Sequence, residues 1–125
     1  GVTSNTIAKA ELDAMKPTAV LINCSRGELV NEPDLCDALK RGSIAGAGLD
    51  VFWNEPTHTD DEILHCPNVI VSPHSAAQTR EAVIKMAAMC VKGCLAVAEG
   101  KKWPYVAEKA VYDHPKWAGK AWAEE

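Results

Sequence analysis

Apolar residues along this chain follow two rhythms. Three short runs are nearly unbroken: Ala19-Val20-Leu21-Ile22-Asn23, Ala47-Gly48-Leu49-Asp50-Val51-Phe52 and Val69-Ile70-Val71-Ser72-Pro73. Each has the length and β-branched content of a buried strand. Elsewhere apolar residues recur every three or four positions, the period of a half-buried helix. A first helix is expected from near Thr6 to Met15, with Ile7, Ala8, Leu12 and Met15 apolar. Lys16-Pro17 ends it, because the residue before a proline avoids the helical region. After strand 19–23 and a turn at Gly27, Asn31 is expected to N-cap a second helix with Pro33 in its first turn. Leu35, Ala38 and Leu39 give that helix a buried face, and Gly42 is its stop. A strand over 44–52, a polar loop over 53–61, a short turn at 62–65 and a strand at 69–72 come next. A long helix from Thr79 to about Glu99 closes the regular part. This alternation with short connections predicts a parallel α/β architecture.

Residues 101–125 break the pattern. They hold Trp103, Trp117 and Trp122 among scattered lysines with no clear period. A segment so aromatic is expected to pack on another surface, such as a domain outside this chain. The start at Gly1 instead of Met also suggests a piece of a longer protein.

Charge and cysteine usage narrow the function. The net charge is −4 with no basic block, which argues against a nucleic-acid partner. No apolar stretch approaches membrane-spanning length, and no signal-peptide layout opens the chain. The five cysteines include no C-x-x-C pair, so reduced thiols in a cytoplasmic protein are expected. Cys90 and Cys94 fall on the stripe Val83, Met86, Ala87, Cys90, Cys94, Val97, which predicts core packing. The cluster His58, Asp60, Asp61, Glu62 and His65 fits no standard ligand spacing and reads as a solvated loop, so no metal site is expected.

The chemistry concentrates just past the three runs. Arg26 follows the first, Glu55 the second and His74 the third. In an open parallel sheet, ligands sit outside the carboxyl ends of the strands. Three strands would thus deliver a guanidinium, a carboxylate and an imidazole to one rim. The guanidinium fork binds carboxylates bidentately and withdraws electron density from a neighbouring carbonyl. A carboxylate beside a histidine orients the ring and favours the imidazolium, which can then exchange a proton with a carbonyl or alcohol oxygen. Gly46-Ala47-Gly48 resembles the start of a dinucleotide fingerprint, but Val51 occupies the sixth position and the glycines lie inside a strand. It is rejected as a phosphate loop.

The joint spacing of Asn23-Cys24-Ser25-Arg26-Gly27-Glu28-Leu29-Val30, Gly46-Ala47-Gly48-Leu49-Asp50-Val51-Phe52 with Glu55-Pro56, and Pro67-Asn68-Val69 with Pro73-His74 and Thr79 strongly resembles the D-isomer-specific 2-hydroxyacid dehydrogenases, phosphoglycerate dehydrogenase among them. The likeness runs from Lys9 to about Gly100. It implies the second half of a Rossmann-like, doubly wound α/β sheet at residues 1–100. Residues 101–125 would be a tail returning to a substrate domain. The family's glycine-rich phosphate loop is expected upstream of this sequence.

The resemblance also implies roles. Arg26 would hold a substrate carboxylate, His74 would be the general acid/base and Glu55 its orienting partner. Asp50 would receive the nicotinamide carboxamide, with Cys24, Ser25, Arg26, His74, Ser75, Ala76 and Ala77 lining the nicotinamide. The implied cofactor is NAD, with NADP left open, and the implied substrate a 2-hydroxy or 2-oxo acid. A homodimer built through the cofactor domain is expected, and an isolated polypeptide with little turnover. The family's architecture also serves as a non-catalytic, NAD-sensing scaffold, which the Arg–Glu–His set does not by itself exclude.

Overall fold

Three parallel strands, β1 (Val20–Asn23), β2 (Gly46–Leu49) and β3 (Val69–Val71), pair in the order β1-β2-β3. Val20 lies opposite Gly46, Ile22 opposite Gly48, and Gly48 opposite Ile70. The structure is a computed structural model that describes residues 3–117, 120 and 122. The expectation for the end of the tail, residues 118, 119, 121 and 123–125, lies outside the described residues.

Two units make up the chain, Gly1–Ala77 and Gln78–Glu125. In the first, α1 (Lys9–Asp13) is shorter than its apolar pattern suggested. The segment before it is extended instead. It lies parallel to the chain around Val30, with Asn5 N donating to Glu28 O at 2.8 Å and Ile7 N to Leu29 O at 2.9 Å. The first-turn amide of Lys9 finds its acceptor in Asp34 Oδ2, 2.9 Å away.

Helix α2 (Glu32–Lys40) forms as its signals dictate. Asn31 Oδ1 accepts from Asp34 N at 3.1 Å, and Pro33 sits in the first turn, where no amide is needed. Gly42 adopts a left-handed φ of 68° just past the helix end. Leu35, Cys36, Ala38 and Leu39 pack with Leu12, Val30, Ile44, Ala47, Leu49 and Ile63 into one core. The short turn Glu62–His65 is a 3-10 helix that caps this core through Ile63.

The expectation that all three runs are buried strands needs correction. Only β2 is enclosed; Val20 (55% exposed), Ile22 (64%) and Ile70 (79%) stand open on one side of the sheet. A parallel sheet needs a layer on each face, and the elements of this unit build their core on the other face. Gly46 and Gly48 lie between those side chains and leave a shallow apolar trough. The same glycines sit inside β2, paired on both sides, as a strand and not a phosphate loop requires.

The second unit consists of α3 (Arg80–Ala98) and the tail after it. Thr79 Oγ1 caps the helix by accepting from Ala82 N at 3.2 Å, and Gly100 lies past its end at φ 81°. Cys90 and Cys94 are exposed, contrary to the core packing expected of them, and no described residue of α3 is buried. Ile84, Val91 and Leu95 form one exposed apolar stripe along the helix, and the returning tail covers the strip that holds Gly93. Trp103 lies against Gly93, where a Cβ would come within 3.3 Å of the indole. The tail organises itself through aromatic contacts. Tyr112 Oη donates to Trp103 O and accepts from Trp103 N, and Lys120 Nζ lies over the Trp117 and Trp122 rings.

Candidate active site

Asn23, the last residue of β1, is buried, and both ends of its carboxamide are used. Its Oδ1 accepts from Ser25 N at 3.0 Å and its Nδ2 donates to Arg26 O at 2.9 Å. An Asx turn of this kind fixes the chain that carries Cys24, Ser25 and Arg26, all exposed at the carboxyl end of the sheet. Arg26 Nη1 donates to Ser25 O at 2.6 Å, and its guanidinium makes no ion pair with a described carboxylate. Gly27 then opens a 3-10 turn, Gly27–Leu29. A Cβ on Gly27 would stand 2.2 Å from the carbonyl carbon of Phe52, so only glycine lets the two backbones meet.

That contact joins the Arg26 turn to the loop after β2. Trp53 is pinned there by its indole N–H, which donates to Val30 O at 2.6 Å. Glu55 Oε1 accepts from Phe52 N at 3.0 Å, and its Oε2 lies 2.7 Å from His74 Nδ1. These bonds hold the Glu55 carboxyl below the usual carboxylate range, the histidine contributing most and the Phe52 amide next. Both partners are partly solvated, so the pair orients the ring more than it stabilises the fold. With Nδ1 facing the carboxylate, Nε2 is the nitrogen left for a reacting oxygen.

His74 itself has a left-handed φ of 50°, a conformation that costs a non-glycine residue about 1–2 kcal/mol. Asp50 braces the turn that holds it. Its Oδ1 accepts from Ser72 Oγ at 2.6 Å and Ser75 N at 2.9 Å, and its Oδ2 from Ala76 N at 2.9 Å. Those three donors, the Ser72 hydroxyl first, keep the carboxyl below its ordinary range. A buried acid ending a strand thus finds its partners in the very turn that carries the imidazole.

Arg26, Glu55 and His74 therefore line one groove of 350 Å3, with Gly27, Glu28, Phe52 and Trp53 completing it. Cys24, Ser25, Ser75, Ala76 and Ala77 lie on the strand-end segments around it. The sequence reasoning missed Asn23 as the clamp of the arginine turn, Ser72 as a donor to Asp50, and Trp53 as a fixed wall. An Asn two residues before a serine at a strand end was the available signal for the first; nothing local announced the others.

The cluster His58, Asp60, Asp61, Glu62 and His65 makes bonds within its loop and to α2. His58 N donates to Asp61 Oδ2, His65 Nε2 lies 2.9 Å from Thr59 O, and Glu62 pairs with Lys40. In the tail, His114 accepts at Nδ1 from Lys116 N at 3.1 Å.

Comparison with known proteins shows the family to which the chain is similar. A family model described as D-isomer specific 2-hydroxyacid dehydrogenase, NAD binding domain, matches residues 2–76. A glyoxylate reductase from Korarchaeum cryptofilum is 41% identical over 109 residues, covering 87% of this chain and 33% of that protein. The crystal structure of D-lactate dehydrogenase with NAD+ from Lactobacillus jensenii superposes with a TM-score of 0.74 at 36% identity, covering 86% of this chain and 36% of the other. An NADPH-dependent glyoxylate/hydroxypyruvate reductase from Sinorhizobium meliloti, solved with NADP and malonate, gives a TM-score of 0.74 at 38% identity and covers 86% and 34%. The chain thus spans about one third of the length of these relatives.

Proposed function

Starting from the fact that this chain belongs to the NAD-binding domain family of the D-isomer specific 2-hydroxyacid dehydrogenases, we propose that the protein carrying it interconverts a 2-oxo acid and a D-2-hydroxy acid. The observation that carries this reading is the groove in which Arg26 stands with the bonded pair Glu55–His74. In the reducing direction Arg26 binds the substrate carboxylate through its fork and draws charge from the adjacent carbonyl. His74, its Nδ1 held by Glu55, donates a proton from Nε2 to the carbonyl oxygen, and takes it back when the alcohol is oxidised. Asn23 and Gly27 keep the arginine turn in register with the loop of Glu55.

The Asp50 carboxylate offers an acceptor to a nicotinamide. Asp50 Oδ2 takes one donor, from Ala76, and its remaining lone pair can accept from a carboxamide. Cys24, Ser25, Arg26, His74, Ser75, Ala76 and Ala77 would surround that ring at the strand ends. When bound there, NAD(H) supplies the hydride exchanged at C2. The relatives include both an NAD+ and an NADP complex, so NADP stays an alternative.

The same reading assigns residues 1–100 to the C-terminal half of the NAD-binding domain and 101–125 to a tail that meets the substrate domain. It also takes the protein to be a cytoplasmic homodimer assembled through the cofactor domain. Among the described residues no helix is long and apolar enough to cross a membrane.

NADH oxidation by the full-length protein with glyoxylate, hydroxypyruvate, pyruvate and phosphohydroxypyruvate tests the assignment. Turnover of at least one, lost in Arg26→Ala, is expected. Tight NADH binding with no turnover of any would favour an NAD-sensing scaffold.

A further inference from the structure

The groove that holds Arg26 and His74 contains a second acid, Glu28, which the proposed chemistry does not use. Glu55, the other acid, is committed to His74 and to the Phe52 amide. The Glu28 carboxylate makes no hydrogen bond or ion pair with any described residue, although Arg26 is two residues away on the same turn. Its main chain is anchored: Glu28 O accepts from Asn5 N at 2.8 Å. The wall beside it is fixed as well, through the Trp53–Val30 bond. The groove therefore offers one guanidinium fork for one carboxylate, next to a second acid that makes no ion pair.

We infer that Glu28 is a specificity residue that selects 2-oxo acids whose only anionic group is their own carboxylate, and rejects those bearing a second anion such as a phosphate. This rests on the dehydrogenase reading above. A substrate whose carboxylate occupies Arg26 would bring a second anion into the field of Glu28, two residues along the same turn. Like charges about 6 Å apart discriminate by roughly 3-fold at an effective dielectric of 80 and roughly 100-fold at 20. A hydroxyl or hydrogen substituent meets no such penalty, and a hydroxyl can donate to the carboxylate.

The test compares hydroxypyruvate and phosphohydroxypyruvate, which differ by the phosphate alone, as substrates of the full-length protein. The wild type is expected to favour hydroxypyruvate in kcat/KM. Glu28→Lys should raise the phosphohydroxypyruvate-to-hydroxypyruvate ratio by about 10-fold or more, and Glu28→Gln by a smaller factor. The shift should shrink as ionic strength rises, because exposed charges are screened. A ratio unchanged in both variants, while the wild type turns over hydroxypyruvate, overturns the inference. Absence of wild-type turnover with every 2-oxo acid would instead remove the dehydrogenase reading, and this inference with it.

Discussion

Asn23 shows how much a single carboxamide can decide. It is buried and spends its acceptor on Ser25 N and its donor on Arg26 O. Asn23→Ala should destabilise the protein by about 1–3 kcal/mol, since two backbone groups lose their partner. It should also raise the KM for a 2-oxo acid about 10-fold by loosening the arginine, which denaturation and steady-state kinetics on the full-length protein would read separately. Glu55→Gln removes the carboxylate from His74 while keeping the shape, and kcat should fall about 10-fold or more. Glu55 and Asp50 both have carboxyl groups held low in the fold. The stability they contribute is complete above the ordinary carboxylate range and is lost as pH falls through their folded values. Acid unfolding followed by circular dichroism should therefore begin at higher pH in Asp50→Asn than in the wild type; coincident curves would refute the brace. That Arg26, Glu55 and His74 share one groove was legible in the sequence, because each comes just after an apolar run. Asn23 and Ser72 were not recognised, because their partners depend on how the turns close.

At the level of elements, the close approach of Gly27 to Phe52 couples two loops that are far apart in sequence. Gly27→Ala would force these backbones apart. It should cost about 1–3 kcal/mol, and it should depress activity more than an alanine at the solvent-facing turn glycine, Gly42, whose added Cβ meets nothing within 4 Å. Urea titration together with initial rates separates the two effects. Capping and proline signals placed α2 and α3 well, since Asn31, Pro33, Thr79 and the glycines act through local backbone geometry. The apolar pattern before α1 misled, because Ile7 pairs with Val30 as extended chain and long-range pairing overrode local period. Burial of β1, β3 and the Cys90–Cys94 stripe was also overread. Apolar periodicity tells which face wants cover, not whether the chain supplies it.

Over the whole molecule, apolar surface divides into what the chain encloses and what it leaves open. Cys36 and Cys66 are buried together, and burial first, then the neighbouring Cys66, pushes the Cys36 thiol up to about 12 from its ordinary 9.0. A group raised in the fold favours folding fully below its unfolded value and loses that contribution as pH climbs toward the folded one. Stability should thus decline between about pH 9 and 12. Native alkylation should mark Cys24, Cys90 and Cys94 and spare Cys36 and Cys66 until the protein unfolds. Val20, Ile22 and Ile70 on the open side of the sheet, and Ile84, Val91 and Leu95 on α3, are large apolar side chains left exposed. The isolated polypeptide should therefore bind hydrophobic dyes and self-associate, and turn over slowly if at all. The direct test of the account is the reduction of a 2-oxo acid by the full-length protein with His74 replaced by alanine. Loss of kcat by about 100-fold or more, in a protein that remains folded, is the predicted result; a rate equal to the wild type's would contradict the assignment of the rim as the site of proton transfer.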